Sequence, residues 1–410
     1  MNVTITPALL AGTVVPPPSK SQTHRLLIAA ALSGGVSRIS NVAFSRDVLA
    51  TISCLKAMGC RVEQVEEGSL EIHGLGHSIP QFCDDYGLIR FGCGESGSTL
   101  RFMIPVALAV AGGGSFTGEG RLMERPLTPY FDLFAEKGIA CGKTGGLLTV
   151  SGKLTSGDYR LSGNVSSQFV TGLLCALPLL EGDSRIILTT PLESRDYVEM
   201  TVDALKRFGV ECRWENEQVM FVPGGQTYRA TDAAVEADWS QAAFFYAALG
   251  LGNKLDIRGL NACSLQGDMR IVPCYLKLNQ SGDVELDVSQ CPDLVPPLAA
   301  HAALRRGVTR IVHAARLRMK ESDRLTSVTK TLAAMGASIE EHADGLTIRG
   351  VESLRGGVTV DCCGDHRIAM MAAVAATRCE ESVTLTGAEC VAKSYPNFWD
   401  EYQRLGGKLG

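Results

Sequence analysis

The 410-residue sequence has no Cys-x-x-Cys pair and no His/Cys spacing that holds a metal, although it carries 14 cysteines. Thiols scattered in this way read as small core residues of a reducing compartment. The chain is therefore expected in the cytoplasm, without a disulfide framework or structural zinc. Long apolar runs are also missing. The longest reach about 15 residues and are interrupted by Pro105 or Pro178, short of the roughly 20 that cross a bilayer. The opening MNVTITPALLAG lacks the basic start of a secretory leader and reads as a strand. Positive charge is not in excess. At a net −5 the chain is a poor general binder of nucleic acid, so any site for anions must be local. No low-complexity segment or long charge run is present.

What is present is repetition. Six short polar clusters each open an Ala-rich apolar stretch, at Ser21, Gly97, Ser166, Asp238, Pro292 and Gly364. The starts lie about 70–77 residues apart, except for about 54 between Asp238 and Pro292. A second, weaker signature follows each by roughly 40 residues: a half-apolar turn ending in Gly, as in LKAMGCRV or LFAEKGIA. Near Gly282 that copy is degraded. Each unit thus supplies one buried helix and one surface helix, with strand-like runs such as SRIILTT and GLTIRG between them. Six α/β units in a chain of this length suggest two domains of three, with a seam near Pro223-Gly224-Gly225 and a stiff crossover at Pro16-Pro17-Pro18. Buried helices that begin with Ser, Asp, Gly or Gln present capped, anion-receptive N-termini.

Basic residues gather at these starts: Lys20 and Arg25 beside Ser21, Arg101 and Arg125 around the second helix, Lys320 and Arg324 around Glu321, Arg367 after His366, and then Lys393. A lone Lys or Arg is ordinarily a solvated charge or a salt-bridge partner. Here several stand beside Ser, Gly or Gln in segments abutting buried helices. Ser166, Ser167 and Gln168 bring two hydroxyls and an amide to one helix start. Asp293 reads as a helix cap or as a proton carrier, and Glu321 as an ion-pair member or as a carboxylate tuned by cations. Gly92-x-Gly94-x-x-Gly97 matches a dinucleotide-binding fingerprint, with Glu119 at the appropriate distance. Glu119, however, falls in GGGSFTGEG, read as a Gly-rich loop and not a strand end, which argues against that reading.

Nine stretches in order, PPSKSQTHR, GESGSTLR, ERPL, GNVSSQF, SRDY, PDLVPPLA, MKESDRL, GDHRIAM and AKSYPNF, resemble the 5-enolpyruvylshikimate-3-phosphate synthase family from near residue 15 to near residue 400. The resemblance implies an α/β fold, a two-domain inside-out α/β barrel of six βαβαββ-type repeats, three per domain. It places residues 19–236 in one domain and 1–18 with 237–410 in the other, with the active site in the cleft between them. It implies transfer of the enolpyruvyl group of phosphoenolpyruvate to the 5-hydroxyl of shikimate 3-phosphate, through a tetrahedral intermediate, with phosphate released. No cofactor, metal, nucleic acid or membrane is implied, and the chain is expected to be a monomer. By resemblance, Lys20, Ser21, Arg25, Ser166, Ser167, Gln168, Ser194, Tyr197, Asp293 and Lys320 hold shikimate 3-phosphate. Lys20, Gly97, Arg125, Gln168, Arg324, Arg367 and Lys393 line the phosphoenolpyruvate side. Asp293, Glu321 and Lys20 are the candidates for proton transfer.

The two substrates together carry a charge of about −5 to −6, and seven Lys or Arg residues of those sets stand against it. Three positions depart from the family pattern: Glu95 for a usual Asn, Ser98 for a commoner Thr, and Arg316 for an Asn in some members. Two rivals remain at this point. One is the sister transferase acting on UDP-N-acetylglucosamine, although its Cys before the Arg-Pro motif is missing between Cys93 and Cys141. The other is a six-repeat clamp around DNA, which would need basic residues on exposed helices.

Overall fold

In the computed structural model, which describes residues 1–76 and 87–410, the chain divides into two units. One runs from Pro18 to Glu236; the other joins Met1–Pro17 to Ala237–Gly410. Twelve α-helices are described: α1 Lys20–Leu32, α2 Arg46–Ala57, α3 Gly97–Ala111, α4 Thr128–Glu136, α5 Ser167–Ala176, α6 Arg195–Arg207, α7 Trp239–Gly250, α8 Ile271–Leu278, α9 Val295–Ala302, α10 Arg324–Ala334, α11 His366–Ala376 and α12 Phe398–Arg404. Odd-numbered helices are the buried ones. Every residue from Gln22 to Leu32 in α1, and all of α11, is shielded from solvent. Even-numbered α2 and α6 bury one stripe and expose the rest, as amphipathic helices do.

One repeat shows the plan. Strand Gly157–Leu161 leads into α5 and pairs in parallel with strand Ser184–Leu188. The chain then runs through α6 into the hairpin Arg213–Asn216/Val219–Val222, which adds to the sheet antiparallel. The parallel pair needs a crossover, and the buried helix supplies it. Sheets with the same pairing stand over α3 and α9. Both units close on themselves. In the 18–236 unit, Ala233–Ala234 near its end pairs in parallel with Val36–Ser40 and so opens the first repeat. In the other, Asn2–Thr6 completes the sheet of the last repeat, and Ala11–Val14 pairs in parallel with Lys254–Ile257 to open the fourth. That fourth repeat has only this two-stranded sheet, the structural form of the degraded signature near Gly282.

The structure shifts several expected boundaries. The first helix is capped by Ser19, not started by Ser21, whereas the second starts at Gly97 as expected, capped by Ser96; each cap's side-chain oxygen accepts a backbone N–H of the first turn. The fifth begins at Val295 after a 3-10 turn Pro292–Leu294, and the sixth is capped by Asp365. Pro223-Gly224-Gly225 is not a seam. Gly225 N–H donates to Leu180 O at 2.5 Å and Gly224 N–H to Asp183 at 3.0 Å, both within one unit. Among the described residues no helix is long and apolar enough to cross a membrane.

Candidate functional site

In the 18–236 unit the three buried helices α1, α3 and α5 begin with serine caps: Ser19, Ser96 and Ser166. A hydroxyl cap satisfies an N–H without adding negative charge, so the positive end of each helix keeps its field. Lys20, in the first turn of α1, holds Asp47 at 2.7 Å. Arg25 lies buried one turn on, its Nη1 donating to Ser21 O at 2.6 Å and its Nη2 to Tyr197 O at 2.8 Å. Its Nε donates to Thr201, and the guanidinium stacks between Phe102 and Tyr197. Burial lowers its pKa to about 10, which leaves it charged at neutral pH. Ser194, where α6 starts, takes a left-handed φ of 58° and is buried.

Gln168 is held at both ends of its amide. Arg101 Nη1 donates to its Oε1 at 2.6 Å, and its Nε2 donates to Ser98 Oγ at 2.9 Å. Arg101 also donates to Pro126 O, fixing the segment that carries Arg125. The Arg125 guanidinium lies against the bare backbone of Gly97; a Cβ there would stand 2.7 Å from Nη1. Glu95 is half-buried, with its carboxylate against Gly120, so the added negative charge sits on the loop leading to Arg125.

The other unit is built differently. Helices α7 and α11 are capped by Asp238 and Asp365, so carboxylates already occupy their N-termini. Asp293 caps nothing. Its carboxylate is met by Arg324 at 2.8 Å, Lys320 at 3.1 Å and Arg367 at 3.3 Å. Burial pushes that carboxyl up, but Arg367, Lys320 and Arg324 outweigh it and hold the group well below the usual range. Arg324 is almost fully buried. It also pairs with Glu321 at 2.5 Å and with Asp365 at 2.7 Å. Burial lowers the Lys320 ammonium from its ordinary value despite Asp293. Arg367 Nη2 donates to Ser240 Oγ at 2.7 Å. Lys393 is buried at the end of the turn Ala388–Lys393 that packs on α11. Arg316 donates to Ser289 O.

The expected residues thus collect in two groups, one per unit: Lys20, Ser21, Arg25, Gly97, Arg125, Ser166, Ser167, Gln168, Ser194 and Tyr197, and Asp293, Lys320, Glu321, Arg324, Arg367 and Lys393. The simple charge balance changes. Asp47, Asp293, Glu321 and Asp365 pair with these cations and reduce the seven expected positive charges to a net excess of three. Asp47, Asp365, Ser240 and the buried His24 were not singled out from the sequence. For Asp47 the available signal is its place in the first turn of α2, two residues after the cap Ser45.

The dinucleotide reading fails for a different reason than expected. GGSFT at Gly113–Thr117 is a strand, parallel to Arg90–Gly92 across α3, so Glu119 does follow a strand. The sheet, however, turns back into an antiparallel hairpin, and Arg125 covers Gly97.

Repeats of this plan, with cations gathered at the starts of their buried helices, define a six-repeat α/β protein suited to anionic ligands. The sequence matches the family described as EPSP synthase (3-phosphoshikimate 1-carboxyvinyltransferase) over residues 5–402, and the chain belongs to it. It is similar to the 3-phosphoshikimate 1-carboxyvinyltransferase of Clostridium kluyveri, at 46% identity over 99% of this chain and 98% of that one. The protein of the same name from Clostridium beijerinckii is 43% identical over the same shares. The fold is that of the EPSP synthase from Acinetobacter baumannii, with a TM-score of 0.81 at 24% identity over 100% of this chain and 99% of that one. Membership sets aside the UDP-N-acetylglucosamine acceptor and the clamp. The enzyme transfers the enolpyruvyl group of phosphoenolpyruvate to shikimate 3-phosphate, a step of aromatic amino acid biosynthesis by the shikimate pathway.

Proposed function

We propose that the two groups of residues, one in each unit, both serve this transfer. Lys20, Ser21, Arg25, Ser166, Ser167, Gln168, Ser194 and Tyr197, with Asp293 and Lys320, hold shikimate 3-phosphate. Gly97, Arg125, Arg324, Arg367 and Lys393, with Lys20 and Gln168, hold phosphoenolpyruvate. Serine-capped helix ends suit the binding of phosphate, while the carboxylate-rich unit suits proton transfer.

The observation that carries the reading is Asp293, a carboxylate shared by three cations. With no substrate, the cations suppress its basicity. Anionic substrates compete for Lys320, Arg324 and Arg367, and as those contacts weaken Asp293 becomes a stronger base. It then accepts the proton of the 5-hydroxyl as the oxygen bonds to C2 of phosphoenolpyruvate. The methylene carbon takes a proton from Lys20 or Glu321. The intermediate next returns a proton from the new methyl group to the residue that supplied it while the C–O bond to phosphate breaks, giving the enolpyruvyl ether, and the proton held by Asp293 leaves with the phosphate. The chain acts in the cytoplasm and as a monomer; every proposed binding residue lies on this one chain, which supports the monomer.

Lys20→Ala and Asp293→Ala are the test, one from each unit. Each should lower kcat/KM by at least about a hundredfold. Their unfolding temperatures should stay close to wild type. Full activity in either variant contradicts its half of the site.

A further inference from the structure

His24 is fully buried, and its Nε2 meets no hydrogen-bond partner. Its Nδ1 lies 2.7 Å from Thr51 Oγ1, which lies 2.7 Å from Thr99 Oγ1. Thr99 Oγ1 donates to Ser96 Oγ at 2.7 Å, and Ser96 Oγ also accepts the Thr99 N–H at 3.2 Å. These contacts set the direction of each proton. Thr99 has one hydroxyl proton and gives it to Ser96, so it accepts from Thr51. Thr51 has then used its own proton and accepts from His24. The imidazole therefore carries its proton on Nδ1 and buries a bare lone pair on Nε2. A leucine in this place would strand no polar atom. Histidine here buries a bare lone pair that leucine would not.

The chain of four side chains joins three helices. His24 stands one turn after Lys20 on α1, and Thr51 one turn after Asp47 on α2. Ser96 and Thr99 bracket Gly97 and Ser98 at the start of α3. Asp47 O, 3.4 Å from Thr99 Oγ1, is a second acceptor for the same hydroxyl proton, so with either partner Thr99 donates there and accepts from Thr51. We infer that His24 is a positioning residue for the transfer, its Nδ1–H holding the first turn of α3 in register with Lys20 and Asp47. The inference rests on the proposed site, because it takes Gly97 and Lys20 to touch substrate.

Asn presents an N–H where Nδ1 stands, whereas Gln reaches toward Nε2 and Leu donates nothing. His24→Asn should keep kcat/KM for phosphoenolpyruvate within about threefold of wild type. His24→Gln and His24→Leu should raise KM for phosphoenolpyruvate about tenfold, with a smaller change for shikimate 3-phosphate. His24→Leu should unfold at or above the wild-type temperature, so its loss would not come from unfolding. In the wild type, ¹⁵N NMR should place the His24 proton on Nδ1. A proton on Nε2, or a His24→Leu enzyme with an unchanged KM for phosphoenolpyruvate, overturns the inference. Lys20→Ala and Arg125→Ala, assayed alongside, separate the two failures. If they keep full activity, the site and the inference both fall. If they lose activity while His24→Leu does not, only the inference falls.

Discussion

At the scale of the residue, the sequence marked the groups proposed to touch anions but not those that hold them in place. Lys20, Arg25, Ser166 and Arg367 stand beside helix starts, a pattern a linear reading can detect. Asp47, Asp365 and His24 matter through partners far along the chain: Asp365 meets Arg324 from 41 residues away, and Arg25 reaches Thr201 from 176. No spacing signals such pairs. Asp293 was open between cap and proton carrier, and its three cations remove the cap reading. Gly97→Ala belongs at this scale. Its methyl would press on the Arg125 guanidinium, a flexible end that can shift, so KM for phosphoenolpyruvate should rise while the protein stays folded. An unchanged KM would remove Arg125 from that subsite.

His301 gives a pH prediction. Burial, with Arg305 nearby, lowers it from 6.5 to about 4. The unfolded chain takes up this proton near pH 6.5 and the folded one does not, so stability falls as pH drops from about 6.5 toward 4. The full effect is on the order of 3 kcal/mol. Unfolding in urea across this range should show a shallower pH slope in His301→Phe; an identical slope would contradict the burial argument.

At the scale of the element, α3 shows how a local defect is repaired. Pro105 lies inside the helix and has no N–H, which leaves the carbonyl of Arg101 without its usual partner one turn back. The Tyr130 hydroxyl donates to that carbonyl at 2.8 Å from the start of α4. Gly172 of α5 lets the two helices meet there. A Cβ at this position would strike Tyr130 Oη and Arg101 O, and would lie 3.0 Å from Pro105 Cγ. Tyr130→Phe should therefore cost about 1–3 kcal/mol, because it leaves a buried carbonyl unsatisfied. Gly172→Ala should cost about as much through overpacking and should also loosen the Gln168–Ser98 contact. Urea unfolding checks both, and a loss below about 0.5 kcal/mol in Tyr130→Phe would contradict the repair. The apolar stretch and its proline were legible in sequence. The tyrosine that completes the helix was not, since a lone Tyr 25 residues on carries no sign of its acceptor. The strand at Gly113–Thr117 was hidden by its glycines, which have low strand propensity but fit where Gly114 passes close to Phe91.

At the scale of the whole molecule, the repeat number, the order of elements and the weakness of the fourth copy were all visible as periodicity. The closure of each unit was not. Ala233–Ala234 and Ala11–Val14 are too short to announce themselves, and each pairs with a strand about 190 to 250 residues away. The charge pattern is also a property of the whole chain. A protein of net −5 concentrates cations at the helix starts, then sets four carboxylates among them. In the proposed site the remaining excess, with serine-capped helix ends, stands against the charge of the two anions. The most direct test is phosphate release from phosphoenolpyruvate by chelator-treated protein, with shikimate 3-phosphate or UDP-N-acetylglucosamine as acceptor. Release with shikimate 3-phosphate alone, and with no metal added back, is the predicted result; release only with the nucleotide sugar, or only after Mg²⁺ or Zn²⁺ is restored, would contradict it.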